Sequence, residues 1–188
     1  MIKILNKKFK PRIKARIRKN KQILGKNIDN FFGWVKGAKL VELKECNTEE
    51  DPVRPELDNK FRTGYGRKIY GVEYHDEIHA IMCFAYTNII PKNVDELEKL
   101  STDAFLQSAM RDQSGGQIAI AYTVWSKKKG GGKLIVKEVF KKIKKSNHLN
   151  RLVTLSPLTE MATKFHTKNG AKLVQINKTT QNFEYKVI

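Results

Sequence analysis

Ser156 and His166 stand ten residues apart in the stretch RLVTLSPLTEMATKFHTKNGAKLVQIN, Arg151 to Asn177. A hydroxyl and an imidazole brought to one cleft can pass protons. Imidazole is the side chain whose ordinary pKa lies nearest neutrality, where general acids and bases work best. A second grouping, SKKKGGGK from Ser126 to Lys133, sets Gly130, Gly131 and Gly132 among Lys127, Lys128, Lys129 and Lys133. Glycine lets a backbone approach a ligand closely, and the first amides of a following helix turn partial positive charge toward it, so the pattern reads as a phosphate cradle. It is not a Walker loop, because no Gly-Lys-Ser/Thr closes it, and it lacks the spacing of a dinucleotide fingerprint. A flexible turn flanked by solvated lysines has the same composition; only its context separates the two.

That context is strand, loop, helix. Gln117 to Trp125 is dense in Ile, Ala, Tyr and Val and reads as a central strand, and Ile135, Val136, Val139, Phe140 and Ile143 make one apolar helix face after the glycines. Leu152, Val153 and Leu155 predict a buried strand that stops at Ser156-Pro157, where proline ends pairing and opens a helix. The spacing of Leu158, Met161, Ala162 and Phe165 predicts a short amphipathic helix closed by Asn169-Gly170, with His166 in its last turn. Strand ends and helix ends facing one cleft are where α/β proteins place chemistry, which makes Ser156 and His166 the leading site candidates.

Upstream, Lys39 to Glu45 alternates as a first strand, and Ile69 to Tyr74 with Ile78 to Tyr86 predicts a hairpin about His75-Asp76-Glu77. Asn93 is placed to cap a helix through Leu97 and Leu100, and a further helical turn or two runs over Ala104 to Met110. Between the first strand and the hairpin, Arg54, Arg62, Arg67 and Lys68 are spaced by turn residues. They either grip carboxylates or phosphates or lie solvated on the surface.

A chain of 188 residues with 40% hydrophobic composition supports one core. We expect an α/β domain over residues 37–188 with a mixed, mostly antiparallel central sheet flanked by helices, preceded by an arm over residues 1–36. Neither a membrane-span-length apolar run nor a signal-peptide core is present, which predicts a cytoplasmic protein. Cys46 and Cys83 sit in unrelated contexts, and neither they nor His75 and His79 have metal-ligand spacing, so buried free thiols and no metal are expected. The formal charge of +18 calls for a polyanionic partner. Residues 1 to 28 hold eleven Lys or Arg and no acid, with Leu5, Phe9, Ile13, Ile17 and Leu24 at or near helical spacing. Such a segment either packs as an ordinary helix or meets nucleic acid or an anionic membrane surface.

Lys127 to Gly132 resembles the Gln/Arg-x-x-Gly-x-Gly pyrophosphate loop of the Gcn5-related N-acetyltransferase (GNAT) fold, with Lys127 in place of the usual Gln or Arg. Read together, DPVRPELDNKFRTGYGRKIYG, IHAIMCFAYTNI, IAIAYTVWS, LIVKEVFKKI, TLSP and FHTKNGAKLVQIN resemble, in order, the catalytic domain of malonyl-CoA decarboxylases, from about Asp51 to Asn177. The resemblance implies Ser156 and His166 as the catalytic pair. It also implies a coenzyme A thioester, malonyl-CoA or acetyl-CoA, held at Tyr122, Val124, Lys127, Lys129, Gly130, Gly131, Gly132 and Lys133, with Arg54 and Asn169 toward the acyl group. Between the Ser-Pro and Phe-His motifs the family carries a long insertion that here shrinks to nine residues. A helix starting near Leu158 then puts the His166 backbone about 12 Å along its axis. Ser156 and His166 are thus expected to work from different sides of a substrate rather than to bond directly. Decarboxylation would leave a thioester enolate, with His166 as proton donor and Ser156 on the carboxylate or the enolate oxygen. Two other readings stand beside it: an N-acyltransferase with His166 as the acid toward the leaving thiolate and Glu73, Asp76 or Glu77 supplying the base and acidic pocket for an amine, and a nucleic-acid-binding protein on a decayed scaffold.

Overall fold

The computed structural model describes residues 33–34, 36–111 and 115–185. The basic segment and Phe31-Phe32 lie outside the described residues. Two compact units divide the chain, residues 1–38 and 39–188. In the first, the described residues form a helical turn closed by the Ala38 N–H on the Trp34 carbonyl, 3.0 Å.

In the second, β1 (Lys39–Leu43), β2 (Lys68–Tyr74), β3 (Glu77–Thr87) and β4 (Ile118–Ser126) run as an antiparallel meander. The β2–β3 hairpin turns through His75 and Asp76, both at positive φ, as tight two-residue hairpins require. β5 (Arg151–Thr154) joins β4 in the one parallel pairing among the described strands, and β8 (Thr180–Tyr185) lies beyond it. β8 also pairs with the two-residue β6 (Ser156–Pro157) and with β7 (Ala171–Ile176). The sheet is mixed and mostly antiparallel, as expected.

Helices cover both faces. α1 (Asn59–Thr63) and α2 (Val94–Arg111) lie on one side, where Leu97 and Phe61 pack with Ile69, Ile81, Cys83, Ile120, Tyr122, Val153 and Leu155. α2 is one continuous helix where the sequence predicted two pieces. Asn93 caps it, its Oδ1 accepting from the Glu96 N–H at 2.8 Å. α3 (Gly131–Lys144) buries Leu134, Ile135, Val136, Val139 and Ile143 against the opposite face. No helix among the described residues is long and apolar enough to cross a membrane.

The predicted helix start at Pro157 is displaced. Ser156 and Pro157 continue as strand, paired with Gln181 and Thr180. Proline is tolerated in a short edge strand, and the Leu158 N–H donates to the Thr179 carbonyl at 3.1 Å. The helix, α4 (Glu160–Lys168), begins after Thr159, whose hydroxyl accepts from the Ala162 N–H at 3.3 Å. Leu158 and Met161, assigned by spacing to its apolar face, are exposed, Met161 to 78%.

Candidate active site

β4 and β5 pair only as far as Ala121 and Thr154 and then part. The separation starts with a bulge: Cys83 faces Thr123 and Phe84 faces Ala121, leaving Tyr122 as an extra residue that bends β4. The Leu155 N–H makes the last bond across, to the Ala121 carbonyl at 2.9 Å. Beyond it Arg54 bridges the opening strands. Its Nε donates to the Tyr122 carbonyl at 3.0 Å, and its Nη2 to the Leu155 carbonyl at 3.2 Å.

A cleft of about 970 Å³ occupies the gap. One end is lined by Lys127, Lys128, Lys129, Gly130, Gly132 and Lys133; the other by Thr154, Ser156, His166, Asn169 and Tyr185; Val124 and the Tyr122 strand segment lie between. Gly130, at φ 87°, caps α3 in the left-handed conformation. The Gly131 N–H turns back to the Lys128 carbonyl at 2.9 Å, and the Leu134 N–H to that of Gly130 at 3.0 Å. The first-turn amides left over are those of Gly132 and Lys133, and both residues line the cleft. Gly131 does not. A Cβ there would fall 2.3 Å from Ser126 Oγ and 3.2 Å from the Ala80 methyl, so this glycine serves the close approach of α3 to the sheet.

Ser156 and His166 do meet, contrary to the expectation from helix length. Ser156 Oγ lies 2.7 Å from His166 Nε2. The late start of α4 shortens the run to His166 to about 9 Å of axis. The helix returns over β8, where Phe183 stacks on the imidazole with centroids 5.1 Å apart. His166 Nδ1 lies 2.9 Å from the Tyr185 hydroxyl, and the Ser156 hydroxyl donates to Thr154 Oγ1 at 3.1 Å. His166 is only 4% exposed, and burial lowers its pKa to about 4. The sequence-based expectation of an imidazole poised near neutrality is therefore corrected: His166 is neutral at pH 7. Burial also raises the pKa of Tyr185, which stays a phenol.

Arg54 is placed away from the cleft lining, its guanidinium spent on the two strand carbonyls. Arg62 is buried too, paired with Asp51 at 2.9 Å, while the Thr123 hydroxyl donates to Asp51 at 2.8 Å. Arg67 donates to Ser101 Oγ at 2.9 Å and to the Phe61 carbonyl. Of the four cations assigned to ligand or solvent, only Lys68 is on the surface, paired with Glu42 at 2.6 Å. Lys127 pairs with Glu50 at 2.6 Å at the cleft rim. Asn169 closes α4, its Nδ2 donating to the Phe165 carbonyl at 2.9 Å. Glu73, Asp76 and Glu77 are absent from the cleft lining; among the described residues Glu50 is its one carboxylate.

Sequence reasoning missed Tyr185 and Thr154. Phe183 and Tyr185 alternate onto one face of the final strand, a visible signal, but nothing local shows that β8 crosses between β5 and β6.

Among solved structures, the chain is similar to an acetyltransferase of Bacillus subtilis in complex with CoA: 13% identity and TM-score 0.55, over 80% of this chain and 99% of that one. It is similar also to the GphF GNAT-like decarboxylase in complex with isobutyryl-CoA, at 10% identity and TM-score 0.58, over 78% of this chain and 98% of that one. The fold is that of the GNAT acyltransferases. A malonyl-CoA decarboxylase from Cupriavidus metallidurans matches at 19% identity and TM-score 0.48, over 74% of this chain. This chain spans 36% of that decarboxylase's length. No family model matches the chain, and no curated protein matches it in sequence.

Proposed function

We propose that the cleft binds a coenzyme A thioester and that the protein decarboxylates malonyl-CoA to acetyl-CoA. The observation that supports this reading is a buried Ser156–His166–Tyr185 hydrogen-bond chain ending in a cleft whose one carboxylate among the described residues is already ion-paired.

The pyrophosphate would sit against the Gly132 and Lys133 amides, among Lys128, Lys129 and Lys133. Helix N-termini and lysines both favour anions there. From Tyr122 to Ser126, β4 has no strand neighbour on the cleft side among the described residues, so an extended pantetheine arm with its amides can lie along it. The acyl end then reaches Ser156. Breaking the bond between Cα and the carboxylate releases carbon dioxide and leaves the electron pair on the thioester enolate. One proton delivered to Cα completes acetyl-CoA. In this reading Ser156 meets the acyl carbons, and His166 behind it exchanges the proton. The same fold supports a decarboxylase in GphF. An amine acceptor, by contrast, calls for an acidic pocket and a base, and the Glu50 side chain is held by Lys127.

Incubation with malonyl-CoA is the test, following carbon dioxide and free thiol together, with acetyl-CoA plus an amine panel run in parallel. Carbon dioxide release without thiol release is expected. Ser156→Ala and His166→Ala should each lower kcat by about 10²-fold or more while retaining CoA binding. Amine-dependent thiol release, or both variants turning over malonyl-CoA at the wild-type rate, overturns the reading.

A further inference from the structure

At the mouth of the cleft, Lys127 already holds a carboxylate. Its Nζ lies 2.6 Å from Glu50 Oε2, and both residues line the cleft although they come from distant parts of the chain. The pair ties the connection between β1 and α1 to the glycine loop, at the end of the cleft that carries the lysines. We propose that this pair is a latch: Glu50 occupies Lys127 in place of a ligand phosphate, and the pyrophosphate of a coenzyme A thioester opens it by taking that place. The inference rests on the cleft binding such a thioester, and it adds to that reading a residue, Glu50, that decides which ligands are admitted.

The main chain at both ends of the latch is held. Glu50 closes a 3-10 turn, Thr48–Glu50, capped by Asn47 Oδ1, which accepts from the Glu49 N–H at 3.2 Å. The next residue, Asp51, is buried; its carboxylate accepts from the Val53 N–H at 2.9 Å and the Thr123 hydroxyl at 2.8 Å, and it pairs with Arg62 at 2.9 Å. On the other side, the Lys127 N–H donates to the His79 carbonyl at 2.9 Å. The paired side chains, by contrast, are 37% exposed for Glu50 and 50% for Lys127. Opening is therefore a change of rotamer in two long side chains, with the backbone unmoved.

An exposed pair of this kind adds little to stability, because solvent screens it and two flexible chains must be ordered to form it. It is correspondingly easy to break. A pyrophosphate carries more charge than a carboxylate and offers more acceptor oxygens, and it also meets the Gly132 and Lys133 amides at the start of α3. A small anion with one charge, unable to span from Lys127 to those amides, gains nothing over Glu50. The latch thus sorts ligands by their phosphate charge. Once released, Glu50 stays at the lysine end of the cleft, away from Ser156, which keeps it from serving as a base at the acyl group.

Calorimetric titration with coenzyme A tests the latch in wild type, Glu50→Gln, Glu49→Gln, Lys127→Met and the double variant Glu50→Gln with Lys127→Met. Glu49 is the control, an exposed carboxylate on the same turn that does not line the cleft. Glu50→Gln should lower the Kd about fivefold, since the competitor for Lys127 is gone, while Glu49→Gln, with the same change of net charge, should shift it by less than about twofold. Lys127→Met should raise the Kd about fivefold, and on that background the gain from Glu50→Gln should shrink to the size of the Glu49→Gln effect. This last comparison separates exchange from plain repulsion. Were Glu50 only a negative charge near the phosphates, removing Lys127 would leave it less screened, and the gain would be as large or larger. No gain from Glu50→Gln, an equal gain from Glu49→Gln, or a gain undiminished without Lys127 overturns the latch and leaves coenzyme A binding in place. Absence of heat with all five proteins counts against the thioester reading itself, and the latch falls with it.

Discussion

His166 is neutral in the fold and titrates near pH 4, while an unfolded chain protonates its histidines near pH 6.5. Between those values the unfolded state binds the extra proton, so stability rises with pH across the window and is lost as pH falls through it. The difference corresponds to about 3 kcal/mol. Urea unfolding at pH 7 and at pH 4.5 should show a marked drop in midpoint, and His166→Gln should flatten this component. The residue types were legible in the sequence: Leu-Ser-Pro and Phe-His-x-x-Asn-Gly-Ala singled out Ser156 and His166. Their bond was not legible, because it depends on a helix start set by Thr159 and on strand pairing with Thr180 and Gln181, residues more than 20 positions away. The pKa was equally hidden. It is set by Phe165, Phe183 and Tyr185 packed round the ring, and two of those come from β8 rather than from the helix that carries His166.

At the scale of elements, the opening between β4 and β5 is kept by Arg54. Arg54→Met conserves much of the volume but takes one donor from each of two buried carbonyls, and should cost about 3 kcal/mol. Arg54→Lys, without the planar fork, should rescue only in part. Urea midpoints of the three proteins check this. Gly131→Ala should act on the glycine loop instead. Its methyl meets Ser126, whose Oγ accepts from the Lys128 N–H at 3.3 Å and donates to the Lys128 carbonyl at 2.6 Å. Displacing Ser126 should raise the Kd for CoA about tenfold, measured by calorimetry, while the Ser156 end of the cleft stays intact. Periodicity revealed the strands, the hairpin and α3, since each buries its own apolar stripe. Arg54, Arg62 and Arg67 misled it. Their partners are main-chain carbonyls, Asp51 and Ser101, and a carbonyl leaves no trace in residue type. Cys46 and Cys83, in unrelated contexts along the chain, likewise come together beside Arg62; hydrogen bonding to Cys83 is the main reason the Cys46 pKa is lowered.

For the whole molecule, the excess of +18 is unevenly spread: residues 1–38 hold twelve of the 37 basic residues and one of the 19 acidic ones. If the amino-terminal segment meets a polyanion, log K for duplex DNA or anionic vesicles should fall linearly with log salt. Removing residues 1–28 should make the slope much shallower, since each released counterion contributes about one unit. CoA binding by the shortened chain, followed by calorimetry, should remain.

The guanidinium bridge across the parted strands has a thermodynamic consequence. Because Arg54 acts as a strut made of bonds within the protein itself, the width of the groove should not depend on a ligand, and entry should escape much of the ordering penalty that an adaptable pocket would impose. Association should be nearly rigid-body, with amide hydrogen exchange in the two flanking strands almost the same in empty and loaded protein.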